Sequence, residues 1–387
     1  MRLETFLEGY PLVRLAVAAD NDRILEFFDR KGLAASSFEV RYLRGPDFFK
    51  LLGHQCDRWF VFLSEDAQGN VRGIGSLGLR PGWMDGKPAT IGYLGDLRVD
   101  ADRALARLWR RIFFELMSRP GEIDELADCE HWYTVVLDAN QGYLNNFRSR
   151  GSRPDRLELL PIARFTMRNL VFRIPLPRPR TGASWTISNA TEGERQILTE
   201  FFEETNARSP MGFRGELQRR LRVWEGLRLE DFIVARDEQG VVACFAPWDP
   251  SPVKRTVVSR LPLSLRFLGA IARRLKRIPL RIPAAGGELR ALYLTHLVFA
   301  DRLEHPMRGR VVRAMLDRLF DDGFRSRHDW HCVSLCDFEE WSLGAQLGNY
   351  VQETLPISIY AVSPADRSRA VADRWSGMRP EFEMAMV

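Results

Sequence analysis

Few residues in this chain have a type and spacing suited to proton transfer or ligand binding near neutral pH. It has six histidines and five cysteines in 387 residues. His296 lies within the apolar run Tyr293-Leu294-Thr295-His296-Leu297-Val298-Phe299, where an imidazole could titrate near neutrality and pass a proton. A lone histidine in a buried strand is also commonly a satisfied core residue, so both readings stand. His328 and His331, with Asp329 between them, have a spacing that could serve a metal on a helix. They sit instead at the entry to a strand, with no other ligand cluster nearby, and no metal is expected. The cysteines are odd in number and irregularly spaced, which fits small core residues in a reducing compartment rather than a disulfide framework. There is no identifiable Ser-His-Asp or Cys-His arrangement, no Walker phosphate loop and no Gly-x-Gly-x-x-Gly fingerprint.

Charge gives a second signal. The formal net charge is +5, yet of 56 basic residues only five are lysine: Lys31, Lys50, Lys87, Lys254 and Lys276. An arginine excess of that kind follows from the codon bias of a GC-rich genome, so the total charge by itself is no nucleic-acid footprint. Its distribution is more informative, because Ser251 to Gly287 contains nine basic residues and no acidic one. Within it Leu265, Leu268, Ile271 and Leu275 recur at helical spacing, with Arg266, Arg273, Arg274 and Arg277 on the other faces, which predicts a basic amphipathic helix. At 45% hydrophobic and 28% charged the composition is that of a globular protein. No run of about 18 apolar residues occurs and Met1 to Tyr10 lacks a signal-peptide profile, so a soluble cytoplasmic location is the expectation.

The elements that must position these residues occur twice. Arg23-Ile24-Leu25-Glu26-Phe27-Phe28 closes a helical segment after the strand Val13 to Val17, and Gln196-Ile197-Leu198-Thr199-Glu200-Phe201-Phe202 does so after Trp185 to Ser188. A hairpin follows in each case: Trp59 to Leu63 and Val71 to Leu77 in one, Asp231 to Ala235 and Val241 to Phe245 in the other. Tyr93-Leu94-Gly95-Asp96-Leu97-Arg98-Val99 then matches the strand around His296. Each is followed by an arginine-rich helix, Arg103 to Met117 or Arg308 to Phe320, and by a strand, Trp132 to Leu137 or His331 to Leu335. The expected architecture is α/β (α+β): two tandem units, residues 1–177 and 178–387, each a mixed, mostly antiparallel sheet flanked by helices. The proline-dense stretch Ile174 to Arg180 is the natural linker. From Val71 to Tyr93 the first unit uses 22 positions and from Val241 to Tyr293 the second uses 52, so the basic stretch at about 251–287 is an insertion of about 30 residues.

This order of elements, with a strand like Tyr93 to Val99 before an arginine-led helix, resembles the GNAT (GCN5-related N-acetyltransferase) superfamily in tandem form. The resemblance implies acyl transfer from an acyl-CoA, acetyl-CoA in the first place, to a small-molecule or peptide amine. In such proteins the backbone N–H groups and positive end of the helix hold the coenzyme A pyrophosphate. Carried over, Asp100 to Leu108 is that loop, with Arg103 at the arginine position, Ala106 at the first glycine, Ala104 and Arg107 beside them, and Leu108 departing from the second small position. Leu97, Arg98 and Val99 would lie along the thioester and pantetheine. Asp96 would be the base or bind the amine, unless it merely bonds a neighbouring loop or pairs with Arg98. Asn140 resembles the asparagine after the following strand. Phe147 stands where many members carry a thiolate-protonating tyrosine, and Tyr143, one turn earlier, is the expected substitute.

In the second unit Arg308-Gly309-Arg310 keeps an arginine and a glycine, while Val311 and Arg313 replace the usual glycines, so the first unit is the expected site of catalysis. The aromatics Phe38, Tyr42, Phe48, Phe49 and Trp59 border the region that sets acceptor choice in the family and also suit helix packing. A rival reading keeps the fold and drops the chemistry: a degenerate binding module that docks a partner through its basic insertion. That insertion would pack as a lid, line a pocket, or meet an acidic partner such as an anionic membrane, an acyl carrier protein or nucleic acid. Specific nucleic-acid recognition is not expected, since only Phe267 interleaves the basic residues.

Overall fold

In a computed structural model of the chain, residues 1–30, 39–140, 156–174, 185–260, 283, 286–321, 330–341, 343–375 and 380–386 are described. The first half contributes α1 (Leu3–Leu7), β1 (Val13–Leu15), α2 (Asn21–Arg30), β2 (Glu39–Leu43), α3 (Lys50–Gln55), β3 (Arg58–Glu65), β4 (Val71–Met84), β5 (Lys87–Val99), α4 (Arg103–Ser118), β6 (Cys129–Leu137) and β7 (Leu157–Arg173). The second contributes β8 (Thr186–Asn189), α5 (Arg195–Arg208), β9 (Gly212–Phe213), α6 (Glu216–Val223), β10 (Ile233–Asp237), β11 (Gly240–Trp248), β12 (Arg255–Arg260), β13 (Ala291–Phe299), α7 (His305–Asp321), β14 (Cys332–Phe338), β15 (Tyr350–Pro364) and α8 (Ser368–Trp375).

The two halves share one sheet, ordered β1-β3-β4-β5-β6-β15-β7-β14-β13-β11-β10-β8, with β9 pairing β4 off this path. Its pairings are antiparallel except β5 with β6 and β13 with β14, and these two parallel pairs are equivalent steps of the repeat. At the centre the final strands are exchanged. β7 closes the first half in sequence but pairs with β14 from Val333↔Leu170 to Phe338↔Phe165. β15 closes the second half but pairs with β6 from Ile357↔Leu137 to Ala361↔Tyr133. The exchanged strands also pair with each other, from Tyr350↔Arg173 to Pro364↔Leu157.

Local chemistry accounts for the parts that frame the cavity. Asp85 and Gly86 both adopt positive φ, 53° and 72°, and form the two-residue turn joining β4 to β5. The face of β4 under α4 is glycine: a Cβ on Gly75 would come within 2.9 Å of the Trp109 ring, and one on Gly73 within 2.9 Å of Trp109 Nε1. The absence of side chains there lets Trp109 and Phe113 stack, their ring centroids 5.8 Å apart, directly on the strand. Trp109 Nε1 donates to Ser64 Oγ at 3.2 Å, which fixes the position of α4 along the sheet. Leu108, the large residue at an expected small position, packs into the same apolar cluster.

The basic stretch begins as a strand. β12 pairs antiparallel with β2, from Arg255↔Leu43 to Arg260↔Glu39, in a separate two-stranded sheet that ties the second half to the first. The amphipathic helix expected within Pro262 to Pro279 lies outside the described residues, as does most of the linker between the halves.

Candidate active site

β5 and β6 are paired from Thr90↔Cys129 to Tyr93↔Tyr133. Beyond that point they diverge, although Thr134 Oγ1 still donates to Leu94 O at 2.9 Å. Along the diverging edge β5 is bulged against β4, where the register passes from Ile74↔Arg98 to Ser76↔Gly95. Asp96 sits in the bulge with φ 54°, a conformation that re-aims backbone groups away from the ladder. The second half repeats this geometry. β13 and β14 are paired as far as Tyr293↔Ser334, β11 against β13 skips from Cys244↔Val298 to Ala246↔Thr295, and His296 has φ 57°. The matched strands of the sequence repeat are therefore equivalent in three dimensions down to the bulged residue.

The surroundings of the two bulges differ. In the first half a cavity of about 1380 Å³ runs from the bulge along the divergence to the start of α4. Asp96, Leu97, Arg98 and Val99 line it, as do Arg103, Ala106, Arg107 and Asn140. Tyr143, expected beside them, lies outside the described residues, as do Phe147 and Phe38. In the second half the corresponding gap is filled by the chain's own residues 381–386. The Phe382 ring centre lies 5.3 Å from that of Phe165, which itself lies 5.3 Å from that of Phe338. Glu383 Oε1 accepts from the His296 amide at 2.7 Å, in the bulge itself, and from Arg220 Nη1 at 2.9 Å. Gly309, the glycine retained at the start of α7, is covered by Gln346, whose Cγ a Cβ would meet at 2.7 Å. His296 is enclosed by Phe202, Phe232 and Trp224, and burial, with Arg220 nearby, holds its imidazole well below the usual histidine range.

Asp96 does not pair with Arg98. Its Oδ1 accepts from Arg44 Nη1 at 2.8 Å and its Oδ2 from Ser76 Oγ at 3.0 Å, so its partners are the loop after β2 and the neighbouring strand. Arg98 instead donates to Phe28 O at 2.6 Å with its guanidinium 3.3 Å from the Phe28 ring centre, and burial lowers it to about 10. Arg44 is itself buried, donating to Phe48 O at 2.9 Å and lying 4.4 Å from the Phe48 ring centre. Phe48 and Phe49 belong to the core with Phe27 and Phe28, while Tyr42 borders the cavity.

At the far end of the cavity Asp102 caps α4, its Oδ1 accepting from the Ala104 amide at 2.7 Å and the Leu105 amide at 3.1 Å. A carboxylate thus occupies two of the amides that would otherwise face an anion, and the positive charge there is supplied by the exposed side chains of Arg103, Arg107 and Arg110.

Sequence reasoning passed over Arg44 and Ser76, and it named Tyr42 only among the aromatics of the acceptor region and Tyr293 only as the start of a matched strand. Lys254 was visible only as part of the basic stretch, although a lysine in so arginine-rich a chain is itself a signal. Its side chain reaches from the second half into the first half's cavity. His331 Nδ1 accepts from the Arg290 amide at 2.9 Å, and His328 lies outside the described residues. Among the described residues there is no cluster of three or more His, Cys, Asp or Glu able to hold a metal. Among them, too, no helix is long and apolar enough to cross a membrane.

No known family's sequence pattern matches the chain. No curated protein matches it either. Solved structures do. N-myristoyltransferase of Saccharomyces cerevisiae with bound myristoyl-CoA superposes with TM-score 0.54 at 10% identity, over 91% of this chain and 84% of that one. A GCN5-related N-acetyltransferase from Sphaerobacter thermophilus gives TM-score 0.50 at 12% identity, over 97% of this chain and 98% of the other. The GCN5-related glucosamine N-acetyltransferase region of a fungal multi-domain β-N-acetylglucosaminidase gives 0.54 at 12%, over 90% and 38%. The fold is that of the GCN5-related N-acetyltransferases, present here as two halves in one chain.

Proposed function

We propose that the protein is an acyltransferase that moves an acyl group, acetyl in the first place, from an acyl-CoA to a small-molecule or peptide amine. The supporting observation is the cavity of the first half, which joins the bulge of β5, the β5–β6 divergence and the arginine-bearing start of α4. The residues fit an acyl-CoA in kind. An extended pantetheine arm suits the unpaired edge of β5, and Arg103 and Arg107 offer charge to a pyrophosphate. The acyl-CoA supplies a thioester carbonyl open to attack. In this reading the backbone of Leu97 to Val99 polarises that carbonyl, Asp96 acts on the amine side as ligand or base, and Asn140 and Tyr143 serve the sulfur. The second half, its gap filled by 381–386, acts as scaffold.

Isothermal titration with acetyl-CoA tests this reading, followed by thiol release with primary amines. Saturable binding is expected; no heat at millimolar ligand would refute it. One observation favours the rival, a GNAT-fold binding module without chemistry: the Asp102 carboxylate holds the Ala104 and Leu105 amides. That reading expects no acetyl-CoA binding.

A further inference from the structure

Lys254 belongs to the second half in sequence and to the first half's cavity in space. Its amide donates to Pro250 O at 2.7 Å, closing a turn after β11, and the next residue opens β12, which pairs with β2. This ribbon carries the side chain between two rings, with Nζ 5.3 Å from the centre of Tyr42 and 5.2 Å from that of Tyr293. Lys254 is 3% exposed and lines the same cavity as Asp96 and Arg44.

An acceptor amine reaches a neutral solution as ammonium, and its nitrogen lone pair is free to attack only after a proton has left. The two oxygens of Asp96 already accept from Arg44 and Ser76. Among the described residues, the charged and titratable groups set against Lys254 include Arg44, Asp96, Tyr42 and Tyr293. Burial, followed by Arg44, pushes the Lys254 ammonium down to about 7, with Asp96 pulling the other way. Burial pushes the Tyr42 phenol up to about 12 and Tyr293 well above its usual value, so neither ring changes charge in the same range.

We propose that Lys254 is the base that takes the ammonium proton of the acceptor, so that a residue of the second half completes the catalytic site of the first. The inference rests on the acyl-transfer reading. The neutral Nζ accepts one proton from the ammonium. The freed amine forms the C–N bond as the C–S bond breaks, the amine's second proton leaves with the coenzyme A sulfur as thiol, and Lys254 then returns its proton to solvent.

The test follows thiol release from acetyl-CoA between pH 5.5 and 9 with a panel of primary amines and unblocked peptides, in the wild-type, Lys254→Met and Lys254→Arg proteins. In the wild type kcat/KM should rise with pH through a limb near 7. Both variants should lose the limb and about a hundredfold in rate, while binding acetyl-CoA within about twofold of wild type, since the lysine is placed on the amine side. Arginine keeps the charge but cannot release its proton, so recovery of rate in Lys254→Arg would overturn the proposal, as would an unchanged limb in Lys254→Met. A measurement on the unaltered protein guards against misfolded variants: competitive acetic anhydride labelling of its five lysines, read by peptide mass spectrometry. A Lys254 midpoint near 7 is expected, and one near the ordinary lysine value of 10.5 would overturn the proposal whatever the variants do. Wild-type protein that fails to bind acetyl-CoA, or binds it and acylates no amine, refutes acyl transfer and this inference together. Turnover by wild type with the limb retained in both variants refutes the inference alone.

Discussion

Changing Asp96 to Asn is the sharpest perturbation of the site. Asparagine tolerates the left-handed backbone that Asp96 adopts at φ 54°, and its side chain is nearly isosteric, so the substitution removes the charge and little else. The side chain of Arg44 is 3% exposed and that of Asp96 15%, so the pair is largely out of water. Two unit charges about 4 Å apart in a medium of effective dielectric about 20 attract by about 4 kcal/mol, and breaking a buried pair typically costs about 3–5 kcal/mol. Arg44 keeps the Phe48 carbonyl and the Phe48 ring as partners, which places the expected loss at the lower end, about 3 kcal/mol. Arg44→Met should cost a similar amount. The double variant should cost less than the sum by about 2 kcal/mol, because it strands neither charge. Urea denaturation of the four proteins measures the cycle. A loss below about 0.5 kcal/mol in Asp96→Asn, or costs that simply add, would refute the idea that this pair organises the site.

Two further outcomes are expected. Asp102→Asn keeps a cap on α4 while removing a negative charge from the mouth of the cavity, so coenzyme A should bind about threefold tighter at low salt in a titration. Unchanged or weaker binding would show that the pyrophosphate goes elsewhere. His296 is held neutral in the folded state with a value well below 6.5, so the unfolded chain takes up the proton first as pH falls. Stability should therefore decline below pH 6.5, by about 1.4 kcal/mol at pH 5.5 from this group. His296→Asn should show a shallower decline in pH-dependent denaturation, and an identical slope would place the titration in other groups.

Much of the fold could be read from the residues because the repeat is written in local patterns. Both bulged strands carry the same tyrosine-leucine start, and the bulge falls three residues later in each, at Asp96 and at His296. Asp102, read in the sequence only as part of the pyrophosphate loop, proved to be the cap of the arginine-led helix. The exchange of β7 and β15 was not legible, because an alternating strand states which face is buried and says nothing of which neighbour it pairs with. Site residues from distant segments were hidden for the same reason. Lys254 reaches the cavity that Asp96 and Arg44 line where β12 pairs with β2 across the halves, a pairing spanning more than 200 residues of sequence.

The exchanged central strands make each half the other's missing piece. A chain ending near the linker would expose the free edge of β6, and β7 would lack both β14 and β15, a template for aggregation rather than a smaller protein. The arrangement resembles a strand-swapped dimer made permanent by fusion. It also gives a reason for the second half to persist with its own cleft blocked: removing it would unravel the sheet that carries the open one, and would take away the lysine that reaches into it.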